Sequence, residues 1–206
     1  MRTLVAWTIM TLFTCATVNA QIPKSWRQSG VDSASASIKV DTTRVYAGRR
    51  SLQLQAPAGA DDASMIAAVQ VVSPAPFRGH RVRLSAVGRT EGAGEAAIWM
   101  RVEGTLAGAP ALLALDNMLP DRAVTGTTDW LEYEVVLDVP LDATAVAFGA
   151  ILNGTGQFWV DQFAFEVVSN TVTTTSIIAQ PRLVSHPEAW TNRPAVDQPS
   201  NLGFED

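Results

Sequence analysis

Residues 145–168 read "AVAFGAILNGTGQFWVDQFAFEVV". Two runs alternate apolar and other residues, and a glycine turn, "NGTG", separates them. A period of two places successive side chains on opposite faces, the signature of β-strands rather than helices. In the first run Val146, Phe148 and Ala150 share a face. In the second, Trp159, Phe163, Phe165 and Val167 are expected to share one, with Asp161 among them. A hairpin of this kind closes an antiparallel β-domain.

The same period recurs upstream. "SIKV" (37–40), "SLQLQA" (51–56) and "SMIAAVQVV" (64–72) are short strands with turns between them. "HRVRLSAVGRT" alternates Val82, Leu84 and Ala86 against Arg81, Arg83 and Ser85; "AAIWMRVEG" alternates Ile98, Met100 and Val102 against Trp99, Arg101 and Glu103. "WLEYEVVLDV" (130–139) continues the pattern, and outside the first residues no ten-residue stretch carries a helical stripe. The fold class is therefore all-β, an antiparallel β-sandwich of jelly-roll type with an extended C-terminal tail.

Residues 1–20 are set apart: Arg2, an apolar run from Leu4 to Val18 and the small-x-small Val18-Asn19-Ala20 read as a secretory signal peptide. The run is too short for a membrane span, which takes about 20 apolar residues. Cleavage leaves 186 residues without the only cysteine, Cys15, so no disulfide is expected and packing must hold the fold. The balance then becomes 14 basic against 20 acidic residues, a formal −6, which argues against a nucleic-acid partner. The expected location is periplasmic or extracellular, and no membrane span follows cleavage. Residues 21–168 form the sandwich. Residues 169–206, rich in Thr, Ser, Pro and Asn, form an extended tail.

In order, "GRRSLQLQA", "FRGHRVRLSAVGRTEG", "AAIWMRVEG", "LALDNM", "GTTDWLEYEVVLDVP" and "FGAILNGTGQFWVDQFAFEVV" resemble galactose-binding-like jelly rolls related to family 4/9-type carbohydrate-binding modules. More narrowly they are similar to accessory domains of secreted bacterial esterases and proteases of the erythromycin-esterase type. The resemblance covers about residues 26–168 and implies the sandwich fold; ligands differ from member to member.

The first candidate surface follows from the period-two strand in which Trp99, Arg101 and Glu103 share a side. An aromatic plane can stack on a sugar ring while Arg and Glu reach its hydroxyls; the alternative is a solvated ion pair beside a covered indole. Asp116, Asn117 and Trp130 are expected at nearby strand ends, where Asp-Asn is equally ordinary turn chemistry. The second candidate is Asp161, a carboxylate expected on the core face, satisfied either by backbone amides or by a cation. The resemblance implies a structural calcium there, with Gly48 and Arg50 donating backbone carbonyls and Glu205 a carboxylate. Calcium takes six to eight oxygens, so Asp161 alone is insufficient.

Catalytic machinery is not indicated. The two histidines, His80 and His186, accompany no G-x-S-x-G elbow and no zinc-type cluster. Glu132 and Glu134 share a face as exposed strands routinely allow, and "NGTG" at Asn153 reads as a turn rather than a glycosylation acceptor. The sequence thus points to an exported, non-catalytic binding module whose partner is a carbohydrate or cell-envelope component. The alternative is a structural or protein-interaction accessory domain without a sugar ligand. In resembling modules an "NLDFE"-like stretch forms the first strand. Here "NLGFED" (201–206) stands last, so 201–206 is expected to fold back as a strand, with Phe204 in the core and Glu205 near Asp161.

Overall fold

The computed structural model describes residues 22–30, 36–57, 59–61, 63–185 and 195–206. The expected signal peptide and His186 lie outside the described residues. Ten strands follow in order: β1 (Arg27–Gly30), β2 (Ser37–Asp41), β3 (Ser51–Gln55), β4 (Met65–Val72), β5 (His80–Leu106), β6 (Ala109–Asp116), β7 (Val124–Val139), β8 (Ala143–Asn153), β9 (Gln157–Val168) and β10 (Arg182–Leu183). A single helical turn, α1 (Leu119–Arg122), lies between β6 and β7.

Two sheets face each other, and β5 belongs to both. Its first half pairs with β7 and β9, giving a first sheet ordered β7–β5–β9–β3–β2. Its second half pairs with β6 and β8, giving a second sheet ordered β10–β6–β5–β8–β4–β1. Every pairing between strands is antiparallel. "HRVRLSAVGRT" and "AAIWMRVEG" are thus one 27-residue strand, not two. Its corner falls at the glycine-rich "TEGAGEAA", where the register on β7 slips between Thr90 and Ala96.

The glycine turn of the β8–β9 hairpin packs into that corner. Gly94 N donates to Thr155 O at 3.0 Å, and Thr155 Oγ1 donates to Gly92 O at 3.2 Å. Gly156 has φ +87°, and a Cβ there would stand 2.2 Å from Gly92 O. Only glycine satisfies both the backbone angle and the approach.

Between the sheets lie Leu52, Leu54, Leu84, Ile98, Met100, Leu137, Phe148, Leu152 and Phe158, all fully buried. One expectation about β9 fails. Gln162 adopts φ +52°, and two β9 residues, Gln162 and Phe163, oppose the single β5 residue between Ser85 and Val87, a β-bulge. The extra residue flips the alternation. Phe158 and Val160 join Phe163 in the core, whereas Trp159 and Asp161 face outwards and Val167 is exposed.

The C-terminal chain laces the sandwich edges. Thr175 N donates to Val136 O on β7, Ile177 N to Leu115 O, and β10 pairs with β6. Val196 bridges Val72 beside β4, and Ser200 N and Gln70 exchange hydrogen bonds at 3.0 and 2.9 Å. Residues 201–206 form a turn rather than the expected strand, yet Phe204 is 0% exposed and packs 5.2 Å from the Trp26 ring, which also meets Phe148 and Phe163.

Candidate functional site

The β2–β3 connection, residues 42–50, folds over the outer face of the first sheet and is pinned at several points. Asp41 Oδ1 accepts from the Thr43 amide and hydroxyl, both at 2.7 Å, and Ser51 Oγ donates to Arg44 O at 2.6 Å. Asp161 Oδ2 accepts from Ala47 N at 3.1 Å, and its Oδ1 accepts from Gln162 N at 2.7 Å. Glu205 Oε1 accepts from Arg49 N and Arg50 N at 2.7 and 3.2 Å. The loop therefore rests on a buried aspartate beneath it and a glutamate from the chain's last residues.

This arrangement bears on both readings of Asp161. The structure gathers Asp161, Gly48, Arg50 and Glu205 around one turn, but the turn aims amide hydrogens, not carbonyl oxygens, at both carboxylates. Arg49 Nε lies 3.7 Å from Glu205 Oε2, and Arg50 donates to Glu205 O at 3.1 Å. Gly48 serves by approach: with φ +72°, a Cβ there would meet Glu205 Oε1 at 2.2 Å. Such a donor set does not fit a calcium shell of six to eight oxygens, and among the described residues no three His, Cys, Asp or Glu cluster as ligands. Burial pushes the Asp161 carboxyl above the ordinary aspartate value of 3.8, opposed by the amides of Ala47 and Gln162. The Arg49 amide, with that of Arg50 and both guanidinium charges, holds the half-buried Glu205 below its ordinary 4.5.

Alongside the loop runs a groove of about 1040 Å³. Its floor is one rung of the first sheet, in which Lys39 on β2 opposes Gln53 on β3 and Gln53 opposes Trp159 on β9; Arg89 on β5 continues the rung outside the groove. Trp159 is only 3% exposed, and its indole Nε1 donates to Asp41 Oδ2 at 2.7 Å. Gln53 Nε2 donates to Gln157 Oε1 at 2.5 Å, while Gln53 Oε1 meets no donor among the described residues. Glu91 at one end joins Arg44 at 3.5 Å and Arg89 at 3.2 Å. Beyond Arg89, the rings of Tyr46 and Trp130 stand 5.8 Å apart, with Tyr46 53% exposed. The alternation of "SLQLQ" was the sequence signal for Gln53; the bulge concealed Trp159.

The residues expected to form one binding face are divided. Trp99, Arg101 and Glu103 do share the outer face of the second sheet, and the Arg101 guanidinium lies 5.7 Å from the Trp99 ring centroid. Yet Trp99 is 6% and Glu103 7% exposed, and Trp99 packs with Val69, Val71, Ala147 and Ile151. Arg101 and Glu103 form a mostly buried 2.6 Å ion pair. The face is a covered apolar patch, not an open platform. Asp116 opposes the core residue Met100, so it points away from Trp99. It accepts from Met118 N at 2.7 Å and pairs with Arg122, while Asn117 Oδ1 accepts from Leu119 N at 3.3 Å; both residues do turn work. Trp130 belongs to the other sheet's outer face, with Arg89 and Tyr46.

No protein family model matches the chain. In sequence it is similar to the uncharacterized HTH-type transcriptional regulator YbfP of Bacillus subtilis (strain 168), 33% identical over 184 residues. That alignment takes in 89% of this chain and 57% of the relative, so the chain spans little more than half its length. Among solved structures, it is similar to the CBM22-1–GH10 modules of Clostridium thermocellum endo-1,4-beta-D-xylanase 10B complexed with xylohexaose. There the TM-score is 0.50 and the identity 17%, over 73% of this chain and 27% of that one. The C-terminal family 22 carbohydrate-binding module of Clostridium thermocellum Xyn10B gives a TM-score of 0.48 at 20% identity, over 73% of this chain and 89% of that one. The chain is an antiparallel β-sandwich, and its structural neighbours are carbohydrate-binding modules of that fold.

Proposed function

We propose that this chain is a non-catalytic module, exported as its first residues suggest, that binds a saccharide in the groove of the first sheet. The observation that carries the reading is the Lys39–Gln53–Trp159 rung that lines the groove. It sets an ammonium and an amide in a row beside an indole, and both polar groups can hydrogen-bond ring hydroxyls. The sandwich neighbours and the order of segments resembling family 4/9-type modules support the same reading. Affinity electrophoresis on a polysaccharide panel tests it: wild type should be retarded on at least one polymer and Gln53→Ala should run freely there. Absence of retardation on every polymer rejects it.

A second reading is a protein-interaction accessory domain without sugar. The exposed Tyr46 beside Trp130 favours it, since aromatic residues concentrate in interfaces. The likeness to a longer protein named as a transcriptional regulator also suits a module that acts within a larger assembly. In that case Tyr46→Ala abolishes partner capture and sugars leave capture unchanged.

A further inference from the structure

The whole sequence contains two lysines, Lys24 and Lys39, and both line the groove. We infer that the groove is selective for an acidic saccharide, one whose ring carboxylate bridges Lys24 and Lys39; this rests on the saccharide reading above and deepens it.

The charges around the groove separate into committed and available groups. Asp41 is held by the Thr43 amide and hydroxyl and by the Trp159 indole. Glu91 is held between Arg44 and Arg89. Arg50 donates to the Glu205 backbone carbonyl, and Asp206 stands exposed at the rim. Among the described residues neither lysine ammonium has a hydrogen-bond or ion-pair partner. The carboxylates of Asp41 and Glu91 are therefore held by donors, whereas the two ammonium groups retain all of theirs. A lysine is a compact point charge with three donors, and its pairing with a carboxylate is among the stronger polar contacts. Neutral hydroxyls fall to the amides of Gln53 and Gln157, so the groove offers separate recognition for the carboxylate and for the ring.

The experiment uses the full chain and matched polymers: polygalacturonate, alginate and hyaluronan, each beside its carboxyl-reduced, neutral counterpart. Calorimetric titration should show binding to one acidic polymer and about tenfold weaker binding to its reduced form, the scale of one lost charge-assisted contact. Lys39→Gln should lower affinity for the acidic polymer by a similar factor and that for the reduced form by clearly less, since the amide still offers donors to hydroxyls. Lys39→Arg should restore most of the affinity, and an unchanged melting temperature for each variant shows that folding is not the cause. Equal binding of acidic and reduced forms overturns the acidic selectivity and leaves the saccharide reading standing. Binding of polyglutamate as tight as that of the polysaccharide also overturns it, since the groove then recognises charge without a sugar. Binding of no polymer, acidic or neutral, overturns the saccharide reading beneath it.

Discussion

Glu205 accepts the amide hydrogen of Arg49 at 2.7 Å, joining residues 156 positions apart in the chain. The contact fastens the penultimate residue to the loop that walls the groove. Its neighbour Phe204 fills the core against Trp26 and Phe163, and Asn201 O accepts from the Trp26 indole at 3.3 Å. Fold and groove are thus coupled through six residues at the C-terminus: the ring seats the segment, and the carboxylate then orders residues 47–50.

Phe204→Ala should destabilise the domain by about 3–5 kcal/mol, the range for a large buried aromatic side chain. For a chain of this length that lowers the melting temperature by roughly 6–20 °C at about 2–4 °C per kcal/mol. Deleting 199–206 should do at least as much. Differential scanning calorimetry decides; a melt within a degree of wild type refutes the seating of the segment.

Two carboxylates beside the loop respond to pH with opposite signs. The folded-state value of Glu205 is depressed below 4.5, so its contribution is complete above about pH 4.5 and fades as pH falls through the lower folded value. Asp161 is raised above 3.8, so its protonated form suits the folded state better. Its contribution is present below pH 3.8 and is lost as pH rises through the folded value. Denaturation at stepped pH should show Glu205→Gln losing stability relative to wild type above pH 4.5 and converging with it in acid. Asp161→Asn should show its pH-dependent difference at and above pH 3.8. A constant difference across the range for both variants counts against these assignments.

Calcium should not stabilise the protein. A ligand that binds only the folded state raises stability by about 2.7 kcal/mol at a hundredfold excess over its dissociation constant. Asp161 and Glu205 already hold amide hydrogens, so millimolar calcium and EDTA should give the same melting curve. A calcium-dependent rise of several degrees, lost in Asp161→Asn, refutes the hydrogen-bonded lock.

Gly156→Ala should be among the most disruptive small substitutions in the chain. Alanine at φ +87° is strained, and its methyl would meet Gly92 O at 2.2 Å in the corner of β5. The expected cost exceeds about 1 kcal/mol, the upper value for backbone-compatible glycine changes. Urea unfolding measures it, and a midpoint equal to wild type would sink this account of the corner.

The sandwich was legible because β3, the first half of β5 and the second half of β7 alternate core-facing apolar residues with mostly polar ones on the outer face, a property of each strand alone. Two features lay beyond local pattern. The bulge at Gln162 places an extra residue in β9, and no side-chain type announces it; this one residue moved Trp159 from the expected core to the groove. The single-strand corner of β5 depends on where the hairpin glycines pack, a contact between Gly92 and Gly156 far apart in the sequence. The docking of 201–206 could be posed from "NLGFED" only because the resemblance supplies an "NLDFE"-like first strand; no local pattern in the tail requires it. The Trp99 face misled for a different reason: an outward period-two position says which sheet face a residue occupies, not whether that face meets water.

That last distinction gives a direct comparison of two tryptophans. Trp99 is packed with Val69, Val71, Ala147 and Ile151 and lies on the sheet face opposite the core, away from the groove. Trp99→Ala should therefore cost stability, about 3–5 kcal/mol for a buried indole, and leave groove affinity unchanged in the variant that remains folded at low temperature. Trp159→Phe keeps most of the buried ring but removes the donor to Asp41, so it should cost about 1 kcal/mol. Freed of the indole hydrogen, Asp41 regains an open acceptor facing the groove, which should weaken binding of an acidic ligand and spare a neutral one. Melting curves and calorimetric titration on both variants separate the roles. Loss of binding in Trp99→Ala with a normal melt would return the recognition surface to the second sheet and refute its assignment to the first.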